Sequence, residues 1–206
     1  MAEKYLKESG YSFTEVEGLV ESLGVSSAGK IPALNSKGRL DKSLVGTKNT
    51  YRLSSQGGSF ETLSEAFTYF STLTQTEGIR LIIDGGSFEV NDTLLVSFTF
   101  PLYIEGTGSN STILTVGTGL ANKPMFDVDS DVYITKVKFD GSTFPNWWLS
   151  DSATFIYLTH DNLYCEVTDF IMYQAAEGIC SKSNSDFFVY NFIIEKMRKY
   201  GVGINN

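Results

Sequence analysis

Four apolar segments recur through the second half of the chain at similar spacing. They are LYIEG from Leu102, VYITKVKF from Val132, LYCEVTDF from Leu163 and FFVYNFII from Phe187. Their starts lie 30 (102 to 132), 31 (132 to 163) and 24 (163 to 187) residues apart. Strand-like segments repeating every 20–50 residues, with turn residues between them, are the signature of a stacked repeat. The alignment extends inside the segments. Ile134, Cys165 and Val189 fall in register, as do Phe139, Phe170 and Ile194. Alternate residues of a strand share a face, so matched apolar positions predict inward stacks, one coil above the next. Gly106, Gly108, Gly117, Gly119, Asn122, Gly141, Gly178 and Asn184 lie between the segments, as turns require.

Composition removes several alternatives. The 206 residues are 42% hydrophobic and 14% aromatic, which is too much apolar surface for a disordered chain. The formal net charge is −8, which argues against a nucleic-acid groove and its basic face. No apolar run is long enough to span a bilayer, so no membrane insertion is expected. The opening MAEKYLKESG lacks the apolar core of a secretory signal. Two cysteines cannot build a disulfide framework.

Residues 1–24 carry a helical pattern. Ser12 and Glu15 fit a capping box, and Tyr11 and Val16 fit a hydrophobic staple. Val16, Leu19, Val20 and Leu23 follow on one helical face, and Gly24 serves as a stop. A helix of about 11 residues is marginal alone, so its stripe must dock on something. Its own downstream domain and a larger assembly both fit, and the segment that follows favours the assembly. Residues 25–50 are small, polar, basic and without period, as in an extended linker. Gly24–Lys30 matches G-x-x-x-x-G-K, but Ile31 replaces the metal-reaching hydroxyl and Pro32 would interrupt the required helix, so a phosphate loop is excluded.

Within that linker, GKIPALNSKGRLDKSLV (residues 29–45) resembles a short segment repeated in bacteriophage tail fibres and tailspikes, with Arg39 where lysine is common. Residues 51–93 add a second resemblance. Phe60, Leu63, Phe67, Phe70 and Leu73 form a helical stripe, with Thr62–Glu65 or Ser59 as cap. IRLIID, Gly85-Gly86 and SFEV follow. This order is similar to the start of pectate-lyase-like tailspike domains. The resemblance implies a mainly β fold: a right-handed parallel β-helix, preceded by a short N-terminal helix, a linker and a capping helix that seals the first coil. The β-helix is expected to begin near Arg80–Asp84, with residues 51–93 as cap and first coil and 94–206 as further coils. GVGINN at the C-terminus reads as a coil entering its next turn, so further coils are expected beyond Asn206. The family context further implies a homotrimer on the virion, partnered by tail, baseplate or capsid proteins and by a host surface glycan or receptor.

Candidate chemistry is sparse. Asp127, Asp129 and Asp131 alternate in FDVDSDVY, which on one strand would set three carboxylates on one face, about 7 Å apart. Glycoside cleavage, calcium binding and a solvated face all fit that row, the last being the commonest reason for it. Glu166 and Asp169 lie near His160 and Asp161, a potential acid–base grouping, though a turn histidine is usually only exposed. His160 is the single histidine and has no second ligand at zinc spacing. No metal and no cofactor is expected. Cys165 reads as a small core residue and Cys180 as buried. Trp147 and Trp148 are adjacent in FPNWWL, and both cannot point inward; a covering loop, a subunit contact and a glycan platform all fit. The sequence therefore reads as a structural virion protein, the N-terminal part of a tail fibre or tailspike. The alternative is a polysaccharide depolymerase, hydrolase or lyase, of the same fold.

Overall fold

The computed structural model of the chain describes residues 49–143, 154–181 and 185–204, together with the backbone of 4–9, 12–19 and 31–32. The N-terminal residues correct the helical expectation. β1 (Lys4–Ser9) and β2 (Ser12–Leu19) pair antiparallel, with Lys4 opposite Glu17 and Ser9 opposite Ser12. β3 (Ile31–Pro32) then adds parallel to the end of β2, inside the stretch expected to be featureless linker. Val16 and Leu19 therefore lie on a strand; Val20 and Leu23 fall outside the described residues. The physical reason is local. Phe13, Thr14 and Val16 favour strand, and Gly18 weakens a helix interior.

From residue 50 the chain is a right-handed parallel β-helix of about 5 turns. One sheet stacks β4 (Thr50–Leu53), β5 (Ile79–Ile83), β8 (Leu102–Gly106), β11 (Val132–Thr135) and the first part of β14 (Tyr164–Ser181). A second stacks β6 (Gly86–Val90), β9 (Thr112–Val116), β12 (Lys138–Asp140) and the middle of β14. A third stacks β7 (Leu94–Val96), β10 (Pro124–Val128), β13 (Thr154–Leu158) and the end of β14. β15 (Asp186–Ile204) follows β14 through all three sheets. The first rung thus begins at Thr50, before the cap and earlier than the sequence suggests, because TYRL is too short and too exposed to show a period.

Inward side chains form continuous columns. Ile79, Leu102, Val132, Cys165 and Phe187 make one; Leu81, Ile104, Ile134, Val167 and Val189 make the next. Phe88, Leu114, Phe139, Met172 and Ile194 make a third. Val167 and Met172 stand where the sequence alignment set Cys165 and Phe170. The slip is two residues, which leaves the inward face unchanged because the strand period is 2. Asp84 to Gly86 turns the coil of β5 and residues 107–111 turn the next, whereas a single residue in left-handed conformation turns the last three: Lys136 (φ 58), Asp169 (φ 50) and Asn191 (φ 53). Asn191 Nδ2 donates to Asp169 Oδ1 across two coils. Gly106 sits under the Lys136 corner, where an added Cβ would lie 2.1 Å from the Lys136 carbonyl oxygen, so no larger residue fits.

α1 (Leu63–Phe70) closes the N-terminal end, as the resemblance implies. Thr62 caps it, its Oγ1 accepting from the Glu65 N–H at 3.1 Å, while Glu65 Oε2 accepts from the Glu61 N–H at 3.0 Å. Leu63, Ala66, Phe67 and Phe70 are buried. The Phe67 ring lies 5.9 Å from both Phe98 and Phe126, and Phe70 packs on Tyr51, Phe60 and Phe98. Phe60 is not helical; it bridges to Leu53 just before the cap. At the other end Phe187, Val189, Ile194, Met197 and Val202 are only partly covered among the described residues.

Candidate functional site: the outer face of the first sheet

The outward positions of the first sheet line a groove of about 420 Å³ that crosses successive coils from Asn49 to Thr168. Its walls come from alternation alone. Each strand buries Leu, Ile or Val and turns the next residue out, so Arg80, Tyr103, Tyr133 and Glu166 align in one outward row. Arg52, Ile82, Glu105, Thr135, Thr168 and Tyr190 align in the next. Rungs are about 4.8 Å apart, so five coils give a groove about 19 Å long.

The aromatic rings in this wall stack on one another. Tyr103 and Tyr133 lie 4.5 Å apart at 12°, Tyr133 and Tyr164 5.3 Å apart, and Tyr164 and Phe188 5.1 Å apart. Tyr103 with Tyr133, and Tyr164 with Phe188, thus turn their faces onto each other, while Tyr133 and Tyr164 meet at 35°.

The carboxylates are held by neighbours from other coils. Glu105 Oε2 accepts from the Arg80 guanidinium and Oε1 accepts from Lys136 Nζ at 2.8 Å. The Lys136 hydrogen bond first, and then that of Arg80, hold the Glu105 carboxyl below the usual glutamate range. Glu166 accepts from two tyrosines, Tyr164 Oη at 3.0 Å and Tyr190 Oη at 2.7 Å. Those bonds to Glu166 push both phenols up. Thr168 Oγ1 donates to Thr135 Oγ1 at 2.8 Å between them. Glu105 and Glu166 are two rungs apart and offset by two residues, which sets their Cα atoms about 12 Å apart.

Asp127, Asp129 and Asp131 do not form the expected row. The strand ends at Val128, so only Asp127 is on it, facing outward in the third sheet between Leu95 and Tyr157. Asp129 sits in the following corner, paired with His160 Nδ1 at 2.6 Å and accepting from Ser97 Oγ at 3.2 Å. Asp131 precedes β11 and accepts from the Tyr164 N–H at 3.0 Å. Burial first, and then the charge of Asp129, raise the Asp127 carboxyl against a lowering hydrogen bond from Thr159. His160 is thus joined to Asp129 of the preceding coil, and Asp169 is a corner residue. Cys165 is fully buried and its thiol is pushed up to about 12 by burial, so it is inert packing, and Cys180 is buried as well. Trp147 and Trp148 fall outside the described residues.

Apart from Glu166, the groove residues went unnoticed in the sequence, although a signal existed. Tyr103, Tyr133, Tyr164 and Phe188 each follow the first residue of an apolar segment. The partners of Glu105 are 25 and 31 residues away and only the coil lengths bring them together.

No protein-family model and no curated protein matches the chain. Two solved structures do: a pectin methylesterase in complex with a hexasaccharide, and a pectin methylesterase from Erwinia chrysanthemi. Each is 15% identical with a TM-score of 0.48, over 69% of this chain and 54% of the other. The chain thus spans about half the length of the structures it matches.

Proposed function

We propose that the chain is a structural and glycan-contacting part of a bacteriophage tail fibre or tailspike, in which the β-helix presents the first-sheet groove to a host surface polysaccharide. The groove is the observation that carries this reading: a rigid, hydroxyl-rich surface running along several coils, with its carboxylates set as hydrogen-bond acceptors. Rigid secondary structure holds such groups better than loops do. The virion context rests on the segment at 29–45. In this reading the first 24 residues attach the protein to tail, baseplate or capsid through the pair of β1 and β2, the protein assembles as a homotrimer, and it resides on the particle exterior.

Two measurements test it. Particles carrying a deletion of residues 1–24 should lack the protein while the truncated chain remains folded in solution; normal incorporation would refute the attachment role. Tyr133→Phe in the groove should weaken adsorption to host polysaccharide without changing the circular dichroism spectrum.

One observation favours the depolymerase reading: Asp127 and Asp129 sit together with unlike surroundings, an arrangement that separates acid from base roles. They belong to the third sheet and the corner after it, whereas the groove belongs to the first. Incubation with purified capsule or O-antigen should therefore release no new reducing ends. Release abolished by Asp127→Asn would establish cleavage instead.

A further inference from the structure

We infer that the first-sheet groove selects an uncharged glycan over a polyuronate or other anionic chain; this rests on the glycan-contacting reading above. The first support is charge placement. The three cations along the outward rows are all engaged: Arg80 and Lys136 both close on the carboxylate of Glu105, and Arg52 pairs with Asp84. Glu166, farther along, finds only the hydroxyls of Tyr164 and Tyr190 among the described residues, so its negative charge is shared but not neutralised. Asp131 and Asp186 stand beside the same strands, and the chain as a whole carries −8. An anionic sugar would thus bring its carboxylate to a surface whose cations are already engaged and whose remaining charges repel it.

The second support is the kind of polar group presented. Tyrosine and threonine hydroxyls both donate and accept, and an ionised carboxylate accepts from two donors at once. Sugar hydroxyls are donor–acceptor groups of the same kind. A neutral chain can therefore pair with every group along the groove without bringing in a charge that needs a counterion. Within the row, Tyr103 and Tyr133 turn their faces onto each other, as do Tyr164 and Phe188, so much of the contact offered to a glycan is hydrogen bonding. Hydrogen bonds and charge then carry the selectivity between neutral and anionic chains.

Affinity electrophoresis of the 206-residue chain tests this against gels cast with neutral polysaccharides (dextran, galactomannan and a neutral host O-antigen) and with anionic ones (polygalacturonate and hyaluronate). Retardation by a neutral glycan at least tenfold stronger than by either polyanion is expected, with little dependence on salt. Tyr133→Phe, which keeps the ring and removes the hydroxyl, should weaken that retardation severalfold. Glu166→Gln should raise affinity for polygalacturonate relative to the neutral glycan. Preferential retardation by a polyanion, weakened by salt, overturns the inference about class but leaves glycan binding standing. No retardation in any gel, or retardation untouched by both variants, overturns the glycan reading of the groove itself.

Discussion

Truncating Phe67 to alanine probes how the solenoid is closed at its N-terminal end. Phe67 is 6% exposed and its ring meets Phe70, Phe98 and Phe126 at 5.9–6.2 Å. Burying a phenylalanine contributes about 1.5–3 kcal/mol by transfer from water. Each ring pair adds about 0.5–1.5 kcal/mol beyond area, although the three neighbours would close partly into the space left behind. Measured Phe→Ala losses in cores of about 3–5 kcal/mol bracket the result. For a chain of this size that corresponds to a fall in Tm of about 6–20 °C. The assay is thermal unfolding followed by far-ultraviolet circular dichroism. Hydrogen exchange adds a local readout: amides of β6 and β7, on which the helix packs, should lose more protection than those of β14. A Tm within about 2 °C of the parent would mean that α1 is not a seal. Equal loss of protection in every coil would mean that the coils unfold as one unit, against the nearest-neighbour behaviour expected of a solenoid.

Three further outcomes follow from other sites. Glu105→Gln should lower the Tm at neutral pH. Because the folded carboxyl is held below its ordinary value of 4.5, its stabilisation is present above that value and fades as pH falls through the lower folded value, so the gap between variant and parent should narrow in acid. Asp127→Asn should do the opposite: the raised carboxyl favours the fold below its ordinary value of 3.8 and loses that advantage as pH rises, so the variant should be the more stable at pH 7 and equal to the parent near pH 3. Gly106→Ala should cost about 1–3 kcal/mol or more in chemical denaturation, since its Cβ would meet a backbone oxygen that cannot turn aside.

What could be read in the sequence was what one strand reveals by itself. The alternation of LYIEG and VYIT marks the inward face without reference to any other coil, and the cap shows its own box at Thr62 and Glu65. Register across coils was less legible, because strands of like composition align equally well two residues apart; Cys165 and Val167 are both small, apolar and inward. Residues 12–19 failed for a related reason. Val16 and Leu19 satisfy a helical spacing, yet the pairing with residues 4–9 that decides the outcome leaves no mark within the segment. The groove is a property of several coils at once. Tyr103 and Tyr133 announce a row, but the fate of Glu105 depends on Arg80 and Lys136 one coil to either side.

The single-residue corners at Asp169 and Asn191 let β14 and β15 pair almost without interruption around a full turn, while the earlier coils break their ladders at each corner. Interstrand hydrogen bonds in this fold run along the long axis. Tension between the two ends therefore falls on the coil-to-coil seams in series, and the molecule is as strong as its weakest seam. The seam between the last two coils divides the load over one long ladder broken by a shift only near Ala175. The seam at β4 and β5 carries it on one short strand pair, with α1 packed beside it. Pulled from its ends, the protein should yield first at the cap, and the coils at β14 and β15 should be the last to part.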